Sequence, residues 1–400
     1  MNPRLDRLQT YPFQKLTALL EGVKPKPGLR PIPLYIGEPK HDTPAFIKQT
    51  LCDSLSGLAG YPATIGTIEL RQAIAAWLKR RYALTDIDPD TQIVPVSGTR
   101  EALFAIAQAV VDTEKNVYPI VVSPNPFYQI YEGAAILANA QPMFLNNTPD
   151  LNYACDWSSL PKSAWERVQL IYVCSPGNPT GHVMDLDEWR AIFELSDKYG
   201  FVIASDECYS EIYFDEAKPP LGALEAAQKL GRTGYARLIV FSSLSKRSNV
   251  PGMRSGFVAG DAGIMKKYLL YRTYQGCAMS LPIQAASIVA WQDEAHVVEN
   301  RRLYREKFDS ALSILEGVLP VSRPEAAFYL WVRTPGSDTE FTRGLFESQA
   351  VSVLPGSYLA REAHGVNPGT NHVRIALVSS TAECAESAQR IRTFVERGSR

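Results

Sequence analysis

The chemistry-bearing residue of first interest is Lys246. It follows the apolar run Leu238–Ser242 within Ser243-Leu244-Ser245-Lys246, flanked by serines rather than carboxylates, with Arg247 and Arg254 close by in sequence. Desolvation and neighbouring positive charge both disfavour an ammonium ion, so an amine in this setting suits nucleophilic use. Asp206 ends a second apolar run, Phe201–Ser205. A carboxylate at the rim of a sheet either caps a turn or pairs with a protonated ring nitrogen. Ser97-Gly98-Thr99 precedes a strongly helical stretch, where free backbone N–H groups form a phosphate cradle. Arg254 can add a charge-assisted contact.

The elements that must position these residues form an alternating pattern. Apolar runs at Ile93–Ser97, Pro119–Ser123, Val168–Cys174, Phe201–Ser205, Leu238–Ser242 and Ser255–Ala259 read as strands. Helical periodicity falls at Arg100–Val111, Asp187–Tyr199 and Ile264–Tyr274. The pattern predicts an α/β fold with a mostly parallel central sheet flanked by helices. In such sheets ligands bind beyond the carboxyl ends of the strands. Those ends carry Ser97-Gly98-Thr99, Asn125-Pro126-Phe127-Tyr128, Ser175-Pro176-Gly177-Asn178-Pro179-Thr180-Gly181, Asp206-Glu207-Cys208-Tyr209 and Ser243-Leu244-Ser245-Lys246. Any one of these segments is equally a turn or a cap. Together they bring an amine, an acid, a phosphate cradle and a polar Asn-Pro turn to one crevice, which is what pyridoxal phosphate requires.

Composition narrows the alternatives. At 400 residues the chain suggests two domains, and 46% hydrophobic with 21% charged residues excludes wholesale disorder. The 41 Lys and Arg against 42 Asp and Glu give no global electrostatic case for nucleic acid or a membrane surface. No run is long and apolar enough for a membrane span or a secretion signal, so a cytoplasmic location is expected. Six cysteines without a CxxC pair and five scattered histidines argue against a metal site, and the thiols are expected to be reduced and mostly buried. The basic stretches Arg301–Lys307 and Lys79–Arg81 read as solvated helix faces. A long helical pattern over Gln284–Leu315 could link the domains. The later segments Ala327–Val332, Glu340–Gln349, Val351–Leu354 and His372–Leu377 read as strand, helix, strand and strand. The predicted division is a large domain over 45–285 and a smaller α+β domain built from both termini, 1–44 and 286–400.

These residues resemble the class I/II aminotransferases, pyridoxal-phosphate enzymes of fold type I. The similarity runs from Tyr35-Ile36-Gly37-Glu38-Pro39 to His372-Val373-Arg374-Ile375, and its most specific piece is Ser243-Leu244-Ser245-Lys246 with Arg254 eight residues on. The resemblance implies that Lys246 joins the cofactor aldehyde covalently and then moves the substrate α-proton. It implies that Asp206 keeps the ring nitrogen protonated, and that Asn178 and Tyr209 hydrogen-bond the phenolic oxygen. Tyr128 would stack on the ring, with Phe127 as a possible substitute. Gly98, Thr99, Arg100, Ser243, Ser245 and Arg254 would hold the cofactor around its phosphate. Arg374 would fork onto the substrate α-carboxylate, helped by the Gly37 backbone. Tyr61, in Tyr61-Pro62-Ala63-Thr64, resembles a tyrosine that reaches into the neighbouring active site, which implies a homodimer.

Within that family, residues 245–257 are most similar to the N-succinyldiaminopimelate aminotransferases of lysine biosynthesis. The implied reaction takes N-succinyl-LL-2,6-diaminopimelate and 2-oxoglutarate to N-succinyl-2-amino-6-oxopimelate and glutamate. Aminotransferases for aspartate, alanine or aromatic amino acids share the same residue set. A carbon–sulfur lyase of the same fold is the alternative of another class, and a regulator without catalysis is disfavoured by the intact lysine, aspartate and arginine. Arg30, Lys40, Arg272 and Arg361 are the conceivable readers of a distal carboxylate.

Overall fold

The computed structural model describes residues 1–398. In chain order its strands are β1 (Ile32–Pro33), β2 (Ile93–Val96), β3 (Ile120–Asn125), β4 (Gln141–Asn146), β5 (Val168–Cys174), β6 (Val202–Asp206), β7 (Leu238–Ser243), β8 (Gly256–Gly260), β9 (Tyr329–Arg333), β10 (Val351–Ser352), β11 (Leu354–Pro355) and β12 (His372–Ala376). Seven make one sheet in the order β2-β8-β7-β6-β5-β3-β4, in which β8 alone runs antiparallel to its neighbours. The expected mostly parallel sheet is therefore present. Its sixth parallel strand, β4, falls outside the expected runs; it lies at the edge and is only partly buried, and its apolar stretch Met143–Leu145 is short and opens on Pro142, which weakens a strand signal.

Period-two alternation builds the core on both faces of this sheet. Along β5, Ile171 and Val173 join a cluster with Trp77, Trp189 and Trp291, while Leu170 and Tyr172 join one with Leu103, Ile106 and Tyr131 on the other face. A third cluster packs Ile32, Leu34, Tyr304, Phe308, Leu330, Val373 and Ile391 around the three-stranded sheet β11-β12-β9.

Four expectations require correction. The helical pattern over Gln284–Leu315 is two helices, Leu281–Gln292 and Ala295–Leu315, interrupted at Asp293–Glu294 without proline or glycine. The first contributes Ala286, Ala290 and Trp291 to the core of the large sheet, whereas the second contributes Tyr304, Phe308 and Ala311 to the third cluster. The strand expected at Val351–Leu354 divides into β10, which pairs with β1, and β11, which pairs with β12. The thiols are all free as expected, but only Cys384 is fully buried, and Cys52 is exposed.

The basic stretches are solvated only in part: Lys79, Arg80 and Arg302 are exposed as expected, but their neighbours are covered. Arg301 is buried, binds Glu216 through two nitrogens and stacks over Tyr213, and Lys307 is buried with its ammonium donating to the Val378 carbonyl. Arg81 likewise donates to the buried Glu211 at 2.8 Å. Helix periodicity reports which residues share a face, not whether another element covers that face. Here residues 211–216 cover it. Neighbouring arginines should therefore respond differently. Removing one partner of a fully buried pair costs roughly 3–5 kcal/mol. Arg301→Ala should cost roughly 2–3 kcal/mol, because Glu211 keeps Arg81. Arg302→Ala should leave the urea unfolding midpoint unchanged. Equal midpoints for the two variants would contradict this packing.

Candidate active site

The carboxyl ends of β2, β3, β5, β6 and β7 open into one cavity of about 560 Å³, within the range of small-molecule sites. Thr99, Arg100, Tyr128, Asn178, Asp206, Tyr209, Ser243, Ser245, Lys246, Arg254, Gly37 and Arg374 all line it. Gly98 lies directly behind, at φ +88°, and a Cβ there would stand 2.1 Å from Arg254 Nη2. Only glycine allows this backbone its left-handed turn together with the arginine's close approach. Thr99 then begins the helix Thr99–Val110, so free N–H groups and the Arg254 guanidinium converge on one spot.

Burial and neighbouring charge tune the titratable groups. Asp206 accepts hydrogen bonds from the Tyr131 hydroxyl at 2.7 Å and the Cys208 N–H at 3.2 Å. Burial pushes its carboxyl up, while those two donors and the charge of Lys246 pull it down. Burial also pushes the Lys246 ammonium down, opposed by Cys208 and Asp206 and assisted by Arg254 and Arg100. The Tyr209 hydroxyl lies 2.9 Å from that of Tyr329, and burial raises it far above the usual phenol range. Ser243 Oγ accepts from the Ser245 N–H at 3.0 Å, which fixes the turn that presents Lys246.

Arg374, on β12, is buried with its plane over the Tyr329 ring. One nitrogen donates to Asn178 Oδ1 and another to the Tyr35 carbonyl, both at 2.9 Å. Its Nε has no partner, and none of the ion pairs among the described residues includes it. Gly37 is demanded by sterics, since a Cβ would meet the Tyr329 hydroxyl at 2.0 Å.

The remaining expectations divide. Phe127 is buried against Phe144 and Tyr128 faces the cavity, with Arg100 donating to its hydroxyl at 2.7 Å. Tyr61 lies outside this chain's cavity and is fully exposed. None of the four proposed distal-carboxylate readers lines the cavity: Arg30 is held by Glu383, Arg272 by Glu101 and Arg361 by Glu132, while Lys40 pairs with Glu38, itself a lining residue. Sequence reasoning missed Tyr131, whose only signal is a tyrosine on the apolar face of the helix Ile130–Leu137, and Tyr329. It also missed Tyr11 and Phe13, which reach the cavity from the N-terminal segment without a local pattern to mark them.

The cavity thus carries Arg100, Lys246, Arg254 and Arg374 against Asp206 and Glu38. A phosphate at Gly98 and Arg254, a pyridine nitrogen at Asp206 and an aldehyde at Lys246 meet the donor chemistry of this set. Fold and site together define a fold-type-I pyridoxal-phosphate-dependent transferase. Residues 30–391 match the family Aminotransferase class I and II. The crystal structure of an aminotransferase from Neisseria meningitidis Z2491 superposes with a TM-score of 0.95 at 52% identity, covering 98% of this chain and 99% of that one. The aminotransferase AspB of Helicobacter pylori 26695 gives 0.88 at 34% identity over 97% and 99%. The LL-diaminopimelate aminotransferase of Nitratidesulfovibrio vulgaris (strain Miyazaki F) is 30% identical over 396 residues, 96% of this chain and 97% of that protein. The chain belongs to the class I and II aminotransferases and depends on pyridoxal phosphate.

One anchor of the site titrates. His182, just past the Asn178-Pro179-Thr180-Gly181 turn, lies 3.0 Å from Glu188 and 3.2 Å from Glu325. Burial opposes its charge, but the hydrogen bond to Glu188 and the ion pair with Glu325 prevail and raise its pKa to about 9. The folded value exceeds the unfolded value of about 6.5, so the stabilisation is complete below that pH and is lost as pH rises through the folded value. Wild type should exceed His182→Gln in urea stability by up to about 3 kcal/mol at pH 6, with the gap closing by pH 10. A gap that does not vary with pH would contradict the pairing.

Proposed function

We propose that this aminotransferase acts on a diaminopimelate-type amino donor, with 2-oxoglutarate as acceptor, and that Lys246 is its covalent cofactor lysine. The observation that carries the carboxylate half of this reading is Arg374. A buried guanidinium without an acidic partner is costly unless a ligand anion completes it, and its fork fits a substrate α-carboxylate. Asn178 and Tyr35 fix the arginine's plane, and Gly37 lets the substrate approach past Tyr329.

Bound pyridoxal phosphate supplies the carbon that exchanges oxygen for nitrogen and a ring that takes up electron density from the substrate α-carbon. Lys246, with its pKa lowered, accepts the α-proton on Nζ and later returns a proton. The Asp206 carboxylate, held by Tyr131 and Cys208, holds the proton on the ring nitrogen. Asn178 and Tyr209 orient the phenolic oxygen, and Tyr128 covers a ring face. Gly98, Thr99, Arg100, Ser243, Ser245 and Arg254 bind around the phosphate.

Residues 245–257 favour the succinylated donor, N-succinyl-LL-2,6-diaminopimelate. Curated relatives near 30% identity named LL-diaminopimelate aminotransferase favour the free diamine, a second reading of the same skeleton. Both place the enzyme in lysine biosynthesis, and a cytoplasmic location accords with that. We divide the chain into a large cofactor-binding domain beginning near residue 45 and a smaller domain of both termini. The packing of the helices on either side of Asp293–Glu294 supports setting their boundary there, rather than at residue 286. Full exposure of Tyr61 supports a homodimer in which it enters the neighbouring active site.

Initial rates with 2-oxoglutarate and each of N-succinyl-LL-diaminopimelate, LL-diaminopimelate, aspartate and phenylalanine test the substrate. The expected order places a diaminopimelate compound first by at least about tenfold in kcat/KM, a gap of about 1.4 kcal/mol. Aspartate or phenylalanine leading would overturn it, as would release of pyruvate and ammonia from cysteine-type donors as the main activity. Arg374→Lys should raise KM for donor and acceptor alike by roughly 10–100-fold, through loss of the fork. Lys246→Ala should abolish turnover.

A further inference from the structure

Lys246 sits in a helix of only four residues, Leu244–Arg247, too short to hold its own C-terminal carbonyls. Those carbonyls are met from a distant part of the chain. Asn300, buried on the helix Ala295–Leu315, donates through Nδ2 to the Lys246 carbonyl at 3.1 Å and lies 3.4 Å from that of Arg247. Its Oδ1 accepts from Asn249 Nδ2 at 3.0 Å and faces His41 Nδ1 at 2.6 Å. The two carbonyls require the amide nitrogen on their side, so Oδ1 is the acceptor and His41 must carry its proton on Nδ1. His41 also packs its ring on Tyr304, and Thr43 donates to the Asn249 carbonyl at 2.8 Å. His41 lies four residues beyond Gly37, which lines the substrate side of the cavity.

We propose that Asn300 is a positioning residue for Lys246, and that through His41 it couples the position of the lysine to the N-terminal segment bearing Gly37. The inference rests on the reading that Lys246 is the covalent cofactor lysine. Asn300 supplies the donor that a further helical turn would otherwise require, and it does so from the helix that leads into the third hydrophobic cluster. Movement of the segment 37–43 is thereby transmitted to the lysine backbone through two hydrogen bonds, one at Asn300 and one at Asn249.

The test compares wild type with Asn300→Leu, which keeps the volume and removes the polar atoms, and His41→Phe, which keeps the ring and removes the donor. Glu306→Ala, exposed on the same helix, is the control. Amide hydrogen exchange is read on the cofactor-free protein, and kcat and KM on the loaded enzyme. Asn300→Leu should lower kcat about tenfold with KM within about twofold, the signature of a misplaced catalytic group. Exchange over residues 244–250 should rise about fivefold while 186–199 stays unchanged. His41→Phe should move the same readouts about threefold, and it decides the matter if Asn300→Leu does not fold.

Exchange and kcat within twofold of wild type would overturn the proposal. So would a rise spread equally over 186–199, which would report general loosening. Near-wild-type turnover in Lys246→Ala would instead remove the reading of Lys246 itself and this inference with it.

Discussion

The constraint on which the site depends is an imbalance of charge inside a folded cavity. Three arginines and Lys246 converge where the described residues of the cavity offer two carboxylates, of which Glu38 already pairs with Lys40, and Arg374 is buried with a free Nε and no acid against it. A protein interior does not hold an unpaired cation cheaply. The arrangement makes sense as one half of a complex whose other half is anionic at two places, a phosphate near Gly98 and a carboxylate at Arg374. The spacing between those places is set by how the two sheets pack, since the first lies at the end of β2 in the large sheet and the second on β12 of the smaller one.

Much of the surrounding packing holds polar groups that would otherwise be unsatisfied. Tyr131 gives up its hydroxyl to Asp206 while its ring stacks on Tyr172, so a core residue supports a site residue. Arg247, next to the lysine, is almost wholly buried, and donates to the Ala290 and Asp293 carbonyls and to Glu294. It also lies over Trp77 and Trp291. Of two adjacent basic residues, one is thus tied into structure and the other is free for chemistry. His182 does a similar task for the Asn178 turn, fastening it to Glu325 near β9.

The parallel sheet and its polar strand ends were legible because each buried strand is a short apolar run that stops at a residue unsuited to a core. Asp206 after Phe201–Ser205 and Ser243 after Leu238–Ser242 are plain instances. β4 was harder to read because its three apolar residues, Met143–Leu145, follow a proline and lie at a half-covered edge. Arg301 and Lys307 look like solvent-facing charge in the sequence, because the acids and carbonyls that bury them come from residues 211–216 and 378. The same limit hid Asn300, an asparagine in a charged helix whose partners lie about fifty residues earlier at Lys246 and Asn249 and 259 residues earlier at His41. Tertiary pairing over such separations leaves no local period to read. Family resemblance pointed to residues that the fold brings to one cavity, but not to those that hold them.

The central claim is that one amine at the rim of the sheet bonds to the cofactor aldehyde. Borohydride reduction of the holoenzyme followed by proteolysis and mass spectrometry examines that bond directly. The account predicts a single reduced pyridoxyl adduct on Lys246. An adduct on another lysine, or none in protein that retains its cofactor, would contradict it.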